Sequence, residues 1–125
     1  MAGVLQEKYA TIVTETTRQL FKNLPEELKK TVTLDNGREF IEHYMWKGLC
    51  GLDTYFADVG NPGQRGLNEN TNGLLRQFYP KKTRLSNVSQ KELDYYVNLL
   101  NNRPRKRNNY LTPTEVLKTY CADLN

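Results

Sequence analysis

Thr31-Val32-Thr33-Leu34-Asp35-Asn36-Gly37 is the stretch on which the fold turns. Its first four residues alternate and are β-branched or apolar, which predicts a short strand. Asp-Asn-Gly then predicts a tight turn, because Asp and Asn bond back to nearby amides and Gly accepts positive φ. The Asp35 carboxylate therefore stands at a strand end. Alone it reads as a turn residue. Joined by a second acid it is a candidate metal ligand, since Mg²⁺ is typically held by one or two carboxylates plus substrate phosphates.

Before this stretch, Ile12, Val13, Thr16, Leu20, Phe21 and Leu24 recur at helical spacing and predict a helix from about Lys8 to Leu24. After it, Phe40, Ile41, Tyr44, Met45 and Leu49 predict a second helix over about 39–49, with those side chains inward. Asp53-Thr54-Tyr55-Phe56-Ala57 is a second strand. Strand, helix, strand in this order predicts a parallel pair with a crossover helix. Val59-Gly60-Asn61-Pro62-Gly63-Gln64 is a loop of breakers.

The second acid is Glu69, on a helix predicted from about Gly66 to Phe78. Leu67, Thr71, Leu74, Leu75 and Phe78 form its apolar side. Glu69 lies opposite, with Arg65, Asn72, Gly73 and Arg76 on the same polar face. Read alone, Glu69 is a solvated surface carboxylate. Ser89-Gln90-Lys91-Glu92 and Thr112-Pro113-Thr114-Glu115 are capping boxes that open two further helices, the last reaching about Leu124. His43, Trp46, Tyr95 and Tyr96 are read as packing residues. No Ser-His-Asp set, Cys-His set or Walker-type glycine loop occurs.

At 125 residues the chain has room for a single modest domain. The sequence has no apolar run long enough to span a membrane and no secretory signal pattern. Cys50 and Cys121 lack metal or redox spacing and are read as reduced thiols of a cytoplasmic protein. The net charge of +4 is unevenly spread. Residues 1–75 carry 8 Lys/Arg against 10 Asp/Glu, whereas residues 76–107 carry 9 Lys/Arg against Glu92 and Asp94 alone. A basic block of this kind is the footprint of a polyanion binder, or else a solvated basic surface.

Five segments together resemble a known family. They are residues 33–40 (Thr-Leu-Asp-Asn-Gly-Arg-Glu-Phe), 55–58, 64–81 (with Arg-Gly-Leu-Asn-Glu-Asn-Thr-Asn-Gly at its centre), 100–105 and 111–116. In order and spacing they are similar to the bacterial DDE transposases of the group named after insertion sequence number thirty. The resemblance implies a ribonuclease-H-like, retroviral-integrase-like α/β fold, helix-rich, with two parallel strands remaining. It implies metal-dependent DNA cleavage and joining by an Asp-Asp-Glu triad, with Asp35 as the second acid and Glu69 as the third, both holding Mg²⁺ or Mn²⁺.

By the same resemblance Arg65, Asn68, Asn72 and Arg76 lie near the scissile strand, and Lys81, Lys82, Arg103, Arg105, Lys106 and Arg107 contact phosphates. The partners implied are transposon-end and target DNA, in a bacterial cytoplasm and nucleoid. Nothing in the chain matches the family's first acid or its first three strands. The chain is therefore expected to be the C-terminal part of a catalytic core, inactive alone, with metal binding weak or absent. It is also expected to be a homodimer through its uncovered apolar faces. The alternatives are a non-catalytic module that binds DNA or co-assembles with and inhibits full-length transposase, and a plain ribonuclease-H-like nuclease.

Overall fold

The computed structural model describes residues 1–5 and 7–124, with the side chains of residues 62, 65 and 86 outside that description. β1 (Thr31–Leu34) and β2 (Asp53–Phe56) pair in parallel, in register from Thr31 opposite Asp53 to Leu34 opposite Phe56. Both strands fall where the alternation placed them, to within a residue. Among the described residues they make up the whole sheet.

The crossover between them departs from the predicted single helix over 39–49. Two 3-10 turns, Arg38–Phe40 and His43–Met45, lead into a short helix α2 (Trp46–Cys50). Its inward residues are Trp46 and Cys50, while Ile41 and Tyr44 are 69% and 71% exposed and Met45 and Leu49 also face out. The reason is the indole. Trp46 is 2% exposed and packs with Val13 and Leu34, with Val32 and Phe40 against them. Its Nε1 donates to Thr14 Oγ1 at 3.0 Å, also buried. Seating the largest side chain with its N–H satisfied fixes the phase of the segment, and the smaller apolar residues turn outward. Gly51, at φ +73°, ends α2 in the left-handed conformation that only Gly adopts freely, which sends Leu52 into the core.

α1 (Ala10–Phe21) supplies Val13 and Thr14 to this core and is shorter at both ends than its periodicity suggested. α3 (Gly66–Leu75), α4 (Gln90–Asn101) and α5 (Pro113–Asp123) follow. The apolar side expected for α3 is only partly covered. Leu74 and Leu75 are half-buried, while Leu67 is 68% exposed. The chain leaves the helix after Leu75, and Phe78 stacks on Tyr96 of α4 at 4.5 Å with Tyr79 edge-on to the same ring.

The box at Thr112 forms in full, with Thr112 Oγ1 accepting from the Glu115 amide and the Glu115 carboxylate accepting from the Thr112 amide. That carboxylate is held below the usual range by its bond from the Thr112 backbone. At α4, Ser89 Oγ accepts from the Glu92 amide. The Glu92 carboxylate lies near the buried Tyr79 hydroxyl, whose pKa is raised by burial and then by that charge. The hydroxyl has no well-formed hydrogen bond among the described residues.

The chain exposes 9520 Å², against about 6,900 Å² expected for a compact monomer of its 14.6 kDa. The central cluster is small, and α3 and α5 bury no residue completely. The fold therefore leans on few contacts, above all those of Trp46. Thr14→Val keeps the shape of the site but strands a buried indole N–H. It is expected to lower stability by about 1–3 kcal/mol, read as a shift in the urea midpoint followed through the emission of the chain's single tryptophan. An unchanged midpoint would show that the indole finds water or another acceptor.

Candidate nucleic-acid and metal site

In open parallel α/β sheets, ligands gather beyond the carboxyl ends of the strands. The first sequence motif lies there. Asp35 follows β1 and is half-buried. Its Oδ1 accepts from the Gly37 amide at 3.1 Å, closing the turn the sequence predicted. The role of Gly37 differs from the one expected. Its φ is −68°, which any residue adopts. What is special there is crowding, because a Cβ would lie 3.0 Å from Asp35 Oδ1 and displace the flexible end of the Glu39 carboxylate. Glu39 thus approaches the same α-carbon as Asp35. Sequence reading missed it, because spacing alone does not show that Glu39 folds back over Gly37.

A chain of hydrogen bonds links this turn to the helix that carries Glu69. Asn36 Nδ2 donates to the Ala57 carbonyl at 3.1 Å, and the Ala57 amide donates to Leu34 O at 2.8 Å. The next residue, Asp58, is bonded twice to Gln64. Its amide donates to Gln64 Oε1, and its Oδ2 accepts from Gln64 Nε2, each at 2.8 Å. The breaker-rich loop is therefore folded back on itself. It leads into α3 by way of a 3-10 turn over Pro62–Arg65. Glu69 is exposed in the first turn of α3.

Asn68 and Asn72 are exposed on α3 as expected. The side chain of Arg65 lies outside the described residues. Arg76 donates weakly to Tyr79 O at 3.4 Å, at the end of the same helix. Grooves lie on both sides of α3. One, of about 570 Å³, is lined by Asn72, Arg76, Tyr79 and residues 2–5, 7 and 8. The other, of about 560 Å³, is lined by Leu67, Asn70 and Leu74 of α3 together with Arg105 and Arg107. The basic loop thus borders the helix that carries Glu69.

Of the predicted phosphate-binding residues, Lys81, Lys82, Arg103, Lys106 and Arg107 are exposed. Lys82 sits at φ +79° in a turn closed by Thr83 N to Pro80 O at 3.0 Å, a position where Gly is usual. Arg105 differs from the rest. It is half-buried and its Nη2 donates to Leu100 O at 3.2 Å, capping the end of α4.

Divalent metal fits this site incompletely. Among the described residues, no three His, Cys, Asp or Glu side chains form a group able to hold an ion. Asp35 and Glu69 with nothing further would balance one divalent ion and leave the charge of a second uncompensated.

The sequence comparisons bear on the same residues. The transposase InsI of insertion sequence element IS30A from Escherichia coli is 44% identical over 118 residues, covering 94% of this chain and 31% of that protein. The transposase of IS1086 from Cupriavidus metallidurans is 48% identical over 96 residues, 77% of this chain. The transposase of IS4351 from Bacteroides fragilis is 47% identical over 88 residues, 70% of this chain. Over most of its length the chain is thus similar in sequence to insertion-sequence transposases. It spans about a third of the length of the curated relatives it matches. No protein-family model matches it. No helix among the described residues is long and apolar enough to cross a membrane.

The crowding at Gly37 gives a direct test. In Gly37→Ala the new methyl must push the Glu39 carboxylate aside, and that flexible end gives way easily. Stability is expected to stay within about 1 kcal/mol of the parent, while the carboxyl carbon shifts of Asp35 and Glu39 both move in NMR spectra. Unchanged shifts at both would show that the two acids do not converge over this glycine.

Proposed function

We propose that this chain is a portion of a DNA transposase catalytic core of ribonuclease-H-like type. In this reading Asp35 and Glu69 are two of the acids that hold Mg²⁺ or Mn²⁺ for phosphodiester transfer. Asn68, Asn72 and Arg76 line the path of the reacting strand, and Lys81, Lys82, Arg103, Lys106 and Arg107 meet phosphates. The observation that carries the reading is the hydrogen-bonded relay from Asp35 through Asn36, Ala57, Asp58 and Gln64 to the start of the Glu69 helix. It supports a shared site for two acids that are far apart in sequence. The similarity to transposases names the chemistry.

The acids present leave such a site short of charge. Two-metal phosphoryl chemistry needs both ions held to stabilise the attacking and leaving oxygens. The 125-residue chain is therefore expected to show no end cleavage or strand transfer on transposon-end DNA with either metal. Metal-dependent nicking that disappears in Glu69→Gln would contradict this.

DNA binding has no such requirement. The basic block of residues 76–107 favours sequence-independent affinity, micromolar or weaker and falling steeply with salt, as counterion release dictates. Replacing Arg103, Lys106 and Arg107 by Ala should weaken binding to all sequences and flatten the salt slope. Salt-independent binding would remove the electrostatic account.

A second reading, a non-catalytic module that co-assembles with DNA or with another transposase chain, is favoured by the excess accessible surface. About 2,600 Å² more is exposed than a compact monomer needs, enough for a full interface. Self-association through the open β1 edge or the outward apolar residues of the crossover would cover it. Sedimentation at micromolar concentration should then give a dimer mass. A monomer across that range would leave this surface to another partner.

A further inference from the structure

The connection between α4 and α5 carries a feature that phosphate binding does not need. Arg105 to Leu111 is closed by its own backbone. Arg105 N donates to Leu111 O, Asn108 N and Tyr110 N both donate to Arg105 O, Asn109 N donates to Lys106 O, and Leu111 N donates to Asn108 O, all at 2.9–3.2 Å. Both ends of the connection are anchored on α4, by Arg105 on Leu100 O and by Thr114 Oγ1 on Asn101 O. This is a rigid loop rather than a mobile tether.

At its outer corner, two consecutive residues, Asn109 and Tyr110, stand in the left-handed region at φ 52° and 66°. Asn tolerates that conformation. A tyrosine there is strained, and such strain persists where the surrounding structure holds it and function uses it. The strain brings no packing in return, because the Tyr110 side chain is 70% exposed. The same connection carries a run of cations that begins three residues before the ring, at Arg107. Arg103, Lys106 and Arg107 are exposed on the same connection, and residues 95–114 contain no Asp or Glu.

We propose that Tyr110 is a stacking platform for an unpaired DNA base, held by the loop beside the cations that grip the adjoining phosphates. The inference rests on the DNA-binding reading above and adds a preference to it. A ring gains little against a duplex, whose bases are already stacked on one another. It gains a full face against a base freed at a nicked, frayed or overhanging end. Such stacking tolerates any base, because every base has a π-face. The exposure of the ring leaves a face open to such a base.

The test compares a blunt duplex with the same duplex carrying a three-nucleotide 3′ overhang that contains 2-aminopurine. The parent chain is expected to bind the overhang about tenfold more tightly than the blunt end and to change the 2-aminopurine emission on binding. Tyr110→Leu should lose both the preference and the emission change while keeping blunt-duplex affinity. Tyr110→Trp should keep the preference. Tyr110→Gly, which relieves the backbone, should melt no lower than the parent yet bind the two DNAs equally, separating a stacking role from a structural one. Equal binding of both DNAs by the parent, or a preference that survives Tyr110→Leu, overturns the stacking proposal and leaves DNA binding intact. Failure of the parent to bind either DNA overturns the DNA-binding reading itself, and the platform with it.

Discussion

The burial of Trp46 is the constraint on which the rest depends. With so few buried residues, one indole seated among Val13, Leu34 and Phe40, and bonded to Thr14, joins the first helix, the first strand and the crossover at a single point. Leu34 is the last residue of β1, and Asp35 follows it directly. Whatever holds Leu34 in the core therefore fixes where the Asp35 carboxylate begins. The catalytic candidate inherits its position from hydrophobic packing one residue away.

From that anchor the site is built by polar contacts. Asn36 reaches across to the end of β2, and Gln64 bonds Asp58 from both sides. These bonds turn a loop full of Gly, Pro and Asn into a defined corner. Each is modest in net energy and exposed or half-exposed to water. The link between the two acids is accordingly weaker than the core that carries Asp35. A larger assembly that covers this edge would strengthen the same bonds by excluding water. That fits a chain whose accessible surface exceeds the needs of a compact monomer.

The strands and the Thr112 cap were legible because local chemistry decides them: alternation, β-branching and a Ser/Thr-x-x-Glu spacing. The crossover was not legible. Its apolar residues satisfy a helical period, but the winning residue was Trp46, which that pattern omitted, and the choice was made by tertiary packing. Gly37 was rightly singled out for the wrong cause, since sequence cannot show that Glu39 folds over it. Arg105 looked like its neighbours until its carbonyl partner was visible. The strain at Tyr110 had no sequence signal at all, because nothing in Asn-Asn-Tyr announces a left-handed tyrosine. Glu69 and its polar face were picked out by motif, whereas the Asp58–Gln64 contact in the loop before that helix is one that periodicity does not encode.

The central claim is that Asp35 and Glu69 serve one cation site. Paramagnetic broadening by Mn²⁺ tests it most directly, because it detects weak binding and needs no activity. As Mn²⁺ is added to the ¹⁵N-labelled chain, amides near Asp35 and near Glu69 should broaden together, at the same metal concentration. Asp35→Asn should abolish the effect in both places. Broadening at only one of the two segments, or broadening near Glu69 that survives Asp35→Asn, would contradict the account and return each carboxylate to the solvated surface.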